Sequence, residues 1–128
     1  MDKSGSGGGR KAIGDAAEAL ALAWLEERGL RLLERNYRVA RGPSARGGEI
    51  DLILREHDGT LVFVEVRARM NADFGGAAAS VGFAKQRRLV YAARHYLQRF
   101  AVLPSCRFDV VAVESGRIEW LRGAFEAG

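Results

Sequence analysis

The 128-residue chain is poor in several residue types, with one cysteine, two prolines, two histidines and three lysines. Cys106 alone cannot close an internal disulfide or build a cysteine-based zinc or iron–sulfur site, which fits a reducing, cytoplasmic setting. Two prolines exclude a Pro-rich linker protein, and 28% charged residues alongside two Trp and six Phe exclude intrinsic disorder. No apolar run approaches the roughly 20 residues needed to cross a bilayer, so no membrane partner is expected. The opening stretch, rich in Gly and Ser up to Gly9, lacks the apolar core of a signal peptide. It reads as a flexible lead-in over residues 1–10, with residues 11–128 forming a single domain.

What is present is a core-forming share of hydrophobic residues, 48%, and arginine: 17 of the 20 basic residues. The net charge of +4 is unevenly spread, at −2 over residues 1–27, +5 over 28–48, −4 over 49–66, +7 over 67–107 and −2 over 108–128. Two basic blocks therefore bracket one acidic block. Arginine favours bidentate phosphate contacts, which makes nucleic acid a natural partner, while an ordinary solvated surface in an Arg-rich composition is the plainer alternative.

Ile13, Ala17, Leu20, Ala21, Trp24 and Leu25 recur at helical spacing and predict a helix over Lys11 to Arg28, stopped by Gly29. Leu30 to Arg38 reads as a strand and Val39 to Gly48 as a loop. Glu49–Arg55 and Leu61–Ala68, joined by Glu56 to Thr60, read as a β-hairpin. After a Gly/Ala-rich connection around Gly75 to Ala79, Leu89, Val90, Ala93, Tyr96, Leu97 and Phe100 mark a second helix over Phe83 to Phe100. Short strands follow at Arg107–Val113 and Arg117–Leu121. The order α-β-β-β-α-β-β implies an α/β protein with a mixed sheet flanked by helices.

Turn chemistry constrains the hairpin. A three-residue loop His57-Asp58-Gly59, with Gly59 in the left-handed conformation of a bulge, pairs Glu56 with Thr60. Asp51 then falls opposite Glu65 and Glu49 opposite Arg67, leaving Ile50, Leu52, Leu54, Val62, Val64 and Val66 on the other face. The two-residue loop Asp58-Gly59 would mix acids into the apolar face and is rejected. Two carboxylates opposed in a sheet repel unless something positive lies between them. An oxygen-liganded divalent cation, Mg²⁺ or Mn²⁺, resolves the repulsion. Neutralisation of Glu65 by Arg67 or Arg69 is the competing, purely structural reading. Glu18, on the margin of the first helix's apolar stripe, reads alone as a surface residue, as do His57 and His95.

In order and spacing, several stretches resemble the YraN family of bacterial proteins, assigned to the PD-(D/E)XK superfamily of restriction enzymes and Holliday-junction resolvases. They are Ala17-Glu18, Glu34-Arg35-Asn36-Tyr37-Arg38, Gly48-Glu49-Ile50-Asp51-Leu52-Ile53, Val62 through Arg69, Phe74 through Val81, Lys85 through Leu89 and Cys106 through Val111. The resemblance implies a restriction-endonuclease-like α-β-β-β-α-β core and a metal-dependent endonuclease acting on DNA, with branched DNA among the candidate substrates. It implies Asp51 as the acid of the first strand motif, Glu65 as the acid of the E-x-K motif and Glu18 as the helix glutamate, together holding Mg²⁺ or Mn²⁺. Arg67 stands where the motif has lysine. Lysine can lose a proton and help activate water, whereas arginine stays charged and can only orient water or stabilise developing charge. The substitution keeps open a second reading, a nucleic-acid-binding protein that retains the nuclease fold and cuts nothing. A third is an interaction protein in which Glu65 and Arg67 form a structural pair. Lys85 and Gln86, at the start of the second helix, are candidates for the missing amine's role. Arg35, Arg38, Arg41 and Arg46 on one side and Arg69, Lys85, Arg87, Arg88, Arg94 and Arg99 on the other are expected to track the DNA backbone. Resolution of a symmetric junction calls for two sites, which motivates a homodimer.

Overall fold

In a computed structural model, which describes residues 6–40, 47–68 and 81–127, seven elements follow one another. They are α1 (Ser6–Glu27), β1 (Arg31–Val39), β2 (Gly48–Arg55), β3 (Leu61–Ala68), α2 (Phe83–Leu97), β4 (Cys106–Glu114) and β5 (Arg117–Phe125). The expected order holds. α1 begins at Ser6 rather than Lys11, and β5 runs on to Phe125. The Gly/Ala-rich connection lies outside the described residues.

Gly29 ends α1 as the spacing predicts. It adopts φ +95°, the left-handed region that only glycine enters freely, and Leu30 N–H reaches back to the Leu25 carbonyl at 3.2 Å. Arg28 reinforces the stop by donating to the Trp24 carbonyl at 2.9 Å while its guanidinium lies 3.4 Å from the centre of the Trp24 ring. The hairpin turn forms as its residues dictate: Gly59 has φ +95°, Gly59 N–H donates to Glu56 O and Glu56 N–H to Thr60 O, each at 2.9 Å. Asp58 accepts from Thr60 N–H at 3.0 Å.

The five strands form one mixed sheet in the order β1-β2-β3-β4-β5. Only β3 and β4 are parallel, and α2 is the crossover between them. α2 packs on β2 and β1, whereas α1 packs on β3 and β4, so the two helices cover opposite faces. The α2 side holds Ile53, Leu61, Phe63, Leu89, Tyr96, Phe108 and Val110; the α1 side holds Ala21, Leu25, Leu52, Leu54, Val62, Val64 and Val111. Each fully buried Leu, Ile, Val or Phe contributes about 1.5–3 kcal/mol. Gly48 is required for close approach on the α2 side, because a Cβ there would lie 2.8 Å from Ala92 N and 2.9 Å from Ala92 Cβ and would also strike the Arg88 carbonyl.

The hairpin register matches expectation where the ladder is formed, Leu52↔Val64, Ile53↔Phe63, Leu54↔Val62 and Arg55↔Leu61. Two expectations fail beyond it. The ladder stops before Asp51 and Glu65, so Glu49 is not opposite Arg67; it pairs instead with Arg38 of β1 in the ladder and in an ion pair at 3.6 Å. Ile50 joins Ile53 on the α2 side and not Leu52 and Leu54 on the α1 side. Residues three apart in a regular strand face opposite ways. One alternation is therefore lost between Ile50 and Ile53, at the place where Asp51 stands. Among the described residues no helix is long and apolar enough to cross a membrane.

Candidate functional site

The site lies where β2 and β3 part. Beyond Leu52↔Val64, Val66 N–H donates to Asp51 Oδ2 at 2.8 Å, so a side-chain carboxylate takes the place a neighbouring strand's carbonyl would fill. On the other flank β1 is irregular as well: Asn36, between the pairs Arg35↔Leu52 and Tyr37↔Ile50, has φ +51°. Asparagine tolerates this region better than most residues. Asp51 shares by alternation the face of Ile53, the face on which Glu65 also lies, and the two carboxyls meet where the β2–β3 ladder ends.

Glu65 is only 3% exposed. Burial, and next the adjacent Asp51 charge, push its carboxyl up to about 8. Lys85 Nζ from α2 and Arg67 Nη1 from the same strand each stand 3.5 Å from Glu65 Oε2 and pull the other way. Asp51 is also raised, chiefly by burial, against the Val66 N–H bond and a hydrogen bond from Glu65. That bond favours the charged form of Asp51 and the neutral form of Glu65. Two adjacent buried carboxyls, each raised, resist carrying two negative charges at once.

Glu18, on α1, is half-buried and raised, first by burial and then by the Asp51 charge, with Arg35 opposing. Asn36 hydrogen-bonds to the Glu18 carboxyl, yet Glu18 Oε1 is buried without a partner among the described residues. Such an atom costs about 1–3 kcal/mol unless a ligand or water meets it. Among the described residues no three His, Cys, Asp or Glu side chains converge closely enough to hold a metal unaided. The donors do fit a hard divalent cation that keeps waters and takes substrate oxygens: among the described residues, two adjacent buried carboxyls, a third with an unpartnered oxygen, and no sulfur or imidazole beside them.

The expected cations fall into three groups. Lys85 and Arg67 are at the acids. Arg35 and Arg38 are exposed on β1, and Arg38 borders, with Lys11, Asp15, Glu18, Asn36 and Glu49, an open cleft of about 580 Å³. Arg87, Arg88 and Arg94 border a larger cleft of about 730 Å³ along α2. Gln86 donates through Nε2 to the Val81 carbonyl at 2.9 Å and so fixes the entry to α2. Arg99 is held over the Tyr96 ring, 3.8 Å from its centre. Arg41, Arg46 and Arg69 lie outside the described residues. His57 and His95 are exposed as expected, His95 Nδ1 sharing a hydrogen bond with the Tyr37 hydroxyl at 2.6 Å.

A buried polar centre that periodicity did not single out is Asp109 of β4, with no exposed surface. It accepts from Arg107 Nε at 3.0 Å, Trp120 Nε1 at 2.8 Å and Gly123 N–H at 2.9 Å. Arg107 in turn is ion-paired with Glu56. The network ties the β2–β3 turn and β5 to β4 and leaves Asp109 fully engaged, a structural role. An aspartate inside the apolar run Phe108-Asp109-Val110-Val111 was its visible sign.

Residues 17–113 match the profile of the family described as "Uncharacterised protein family UPF0102", which is the YraN family. A UPF0102 protein of Methylibium petroleiphilum is 65% identical over 117 residues, covering 91% of this chain and 96% of that protein. One from Albidiferax ferrireducens is 61% identical, covering 94% and 91%, and one from an Acidovorax species 60%, covering 91% and 86%.

Proposed function

The chain belongs to the uncharacterised protein family UPF0102, and from the site it carries we propose that it is a metal-dependent endonuclease of the PD-(D/E)XK type, hydrolysing phosphodiester bonds in DNA. The observation that carries the reading is the buried Asp51–Glu65 pair, both carboxyls raised, where the β2–β3 ladder ends. A pair so arranged is poor at stabilising the fold and well suited to exchanging its proton for a cation. The α-β-β-β-α-β order and the parting of β2 from β3 agree with the nuclease-like core that the motifs resemble.

Asp51 and Glu65 would hold Mg²⁺ or Mn²⁺, with Glu18 Oε1 as a further or water-mediated ligand. When bound, such a cation makes water more acidic and neutralises the attacked phosphate. Arg67 stabilises charge developing on the phosphate and cannot itself accept a proton. Lys85 supplies the amine that the motif position lacks: its Nζ is as close to Glu65 Oε2 as the Arg67 guanidinium. It can donate to a phosphate oxygen or hold water in line. The exposed arginines of β1 and α2 contact backbone phosphates without reading sequence, so affinity falls steeply with salt.

A specific observation also favours the non-cutting alternative: Arg67, in place of lysine, is already paired with Glu65. Cleavage assays separate the two readings. Labelled duplex, single-stranded and four-way-junction DNA are incubated with Mg²⁺ or Mn²⁺ and wild type, Asp51→Ala or Glu65→Ala. Metal-dependent cutting lost in both variants supports the nuclease; unchanged cutting in both overturns the assigned site. Salt-sensitive binding without cutting establishes the binding protein instead.

A further inference from the structure

α2 carries a second feature that the acid site does not use. Phe83, in its first turn, is 80% exposed, an unusual position for a large aromatic side chain with so much core nearby. Phe83, Arg87, Tyr91 and Arg94 follow at intervals of four, four and three residues and so share one side of the helix, over a length of roughly 16 Å. All four border the cleft of about 730 Å³, with Gly47 and Arg88 beside them and Glu126 as its one carboxylate among the described residues. Three guanidiniums against one carboxylate give the groove a positive balance, and two rings interleaved with them give it apolar faces. A duplex offers a phosphate backbone with its bases stacked away. A single strand offers phosphates and open base faces together, the combination this groove complements.

We infer that the α2 groove binds single-stranded nucleic acid, with an unpaired base stacked on Phe83 and phosphates held by Arg87 and Arg94. The inference rests on the nucleic-acid reading of the protein and deepens it by naming the strand form that this face of α2 would hold. The substrate class is then DNA with an unpaired segment, held on the side of α2 turned away from Lys85.

Binding in EDTA, where cutting does not enter, tests this. Fluorescence anisotropy is read with a labelled oligothymidylate of about 12 nucleotides and with an abasic strand of the same length. Phe83→Ala, at an exposed position, is expected to weaken the oligothymidylate about tenfold while leaving the abasic strand unchanged, and Phe83→Tyr to restore binding. Arg87→Ala is expected to weaken both strands and to lower the salt slope by about 0.7. Equal losses on both strands, or none, for Phe83→Ala overturn the inference. So does displacement by polyglutamate as effective as by unlabelled oligothymidylate, which would make the groove an acidic-peptide site. Metal-dependent cutting together with Phe83-independent binding removes this inference alone. Phe83-dependent binding without any cutting removes the nuclease reading alone.

Discussion

Replacing Glu65 by glutamine removes the charge while keeping shape and a hydrogen-bond donor toward Asp51. In the unfolded chain a glutamate releases its proton near its ordinary value of 4.5, whereas in the folded protein Glu65 holds it to about 8. Between those limits the folded state binds more protons than the unfolded state, so folding stability falls as pH rises across the window. Below pH 4.5 both states are protonated and nothing is lost; above about 8 the whole cost is present. Three and a half pH units correspond to about 5 kcal/mol. Glutamine has no such dependence. Wild type and Glu65→Gln should therefore have similar urea midpoints at pH 5 in EDTA and diverge by pH 9, with the variant the more stable. At a denaturant slope of about 2 kcal/mol/M the separation is roughly 2 M. Mg²⁺ at pH 9 should narrow the gap by about half by stabilising wild type alone, by about 2.7 kcal/mol when free Mg²⁺ is 100 times its Kd. Midpoints that run parallel from pH 5 to pH 9 would refute the reasoning, because Glu65 would then have no proton to give up for a cation.

Lys85→Met is expected to lower cleavage at least tenfold at saturating Mg²⁺, with Lys85→Arg recovering only charge-dependent binding; undiminished single-turnover rates in Lys85→Met would return the catalytic burden to Arg67. Gly48→Ala should destabilise by about 1–3 kcal/mol in urea unfolding, because its Cβ meets the α2 backbone at Arg88 and Ala92 and must push helix and sheet apart. Asp109→Ala should cost about 3–5 kcal/mol, since it strands the Arg107, Trp120 and Gly123 donors together, and a change under 1 kcal/mol would show that the network carries little of the fold.

Elements and register were legible because each rested on a local signal. Gly29 stops a helix in any context, and the loop His57-Asp58-Gly59 can close a hairpin of this kind in one register, the one observed at Leu52↔Val64. Asp51 was placed beside Glu65 by extending that register, and the neighbourhood is right although the ladder does not reach it. What could not be read was the parting of the strands. It accompanies Asp51 accepting the Val66 N–H and a positive φ at Asn36 in the adjacent strand, both of which are tertiary. Ile50 was misassigned for the same reason: strict alternation is the only rule a sequence supplies, and the lost alternation has no local marker. The aspartate in β4 was visible as an oddity, but two of its three partners, Trp120 and Gly123, come from the far side of the following turn.

The position of Lys85 follows from topology. β3 and β4 are parallel neighbours, so the chain must cross over a sheet face between them, and α2 is that crossover. The face it crosses is the one bearing Leu61 and Phe63, and period-two alternation puts Glu65 on that face as well. The start of α2 therefore descends toward the open end of the acid pair, and the basic block that follows Glu65 in sequence returns above it in space, with Lys85 at 3.5 Å. Helix α1, by contrast, covers the opposite face and contributes an acid, Glu18, through the gap beside Asp51. The two helices thus supply charges of opposite sign to one break in the sheet. An amine missing from the strand at Arg67 can be replaced from the crossover helix without altering the fold, because among the described residues α2 is the helix that runs over the face on which Glu65 lies.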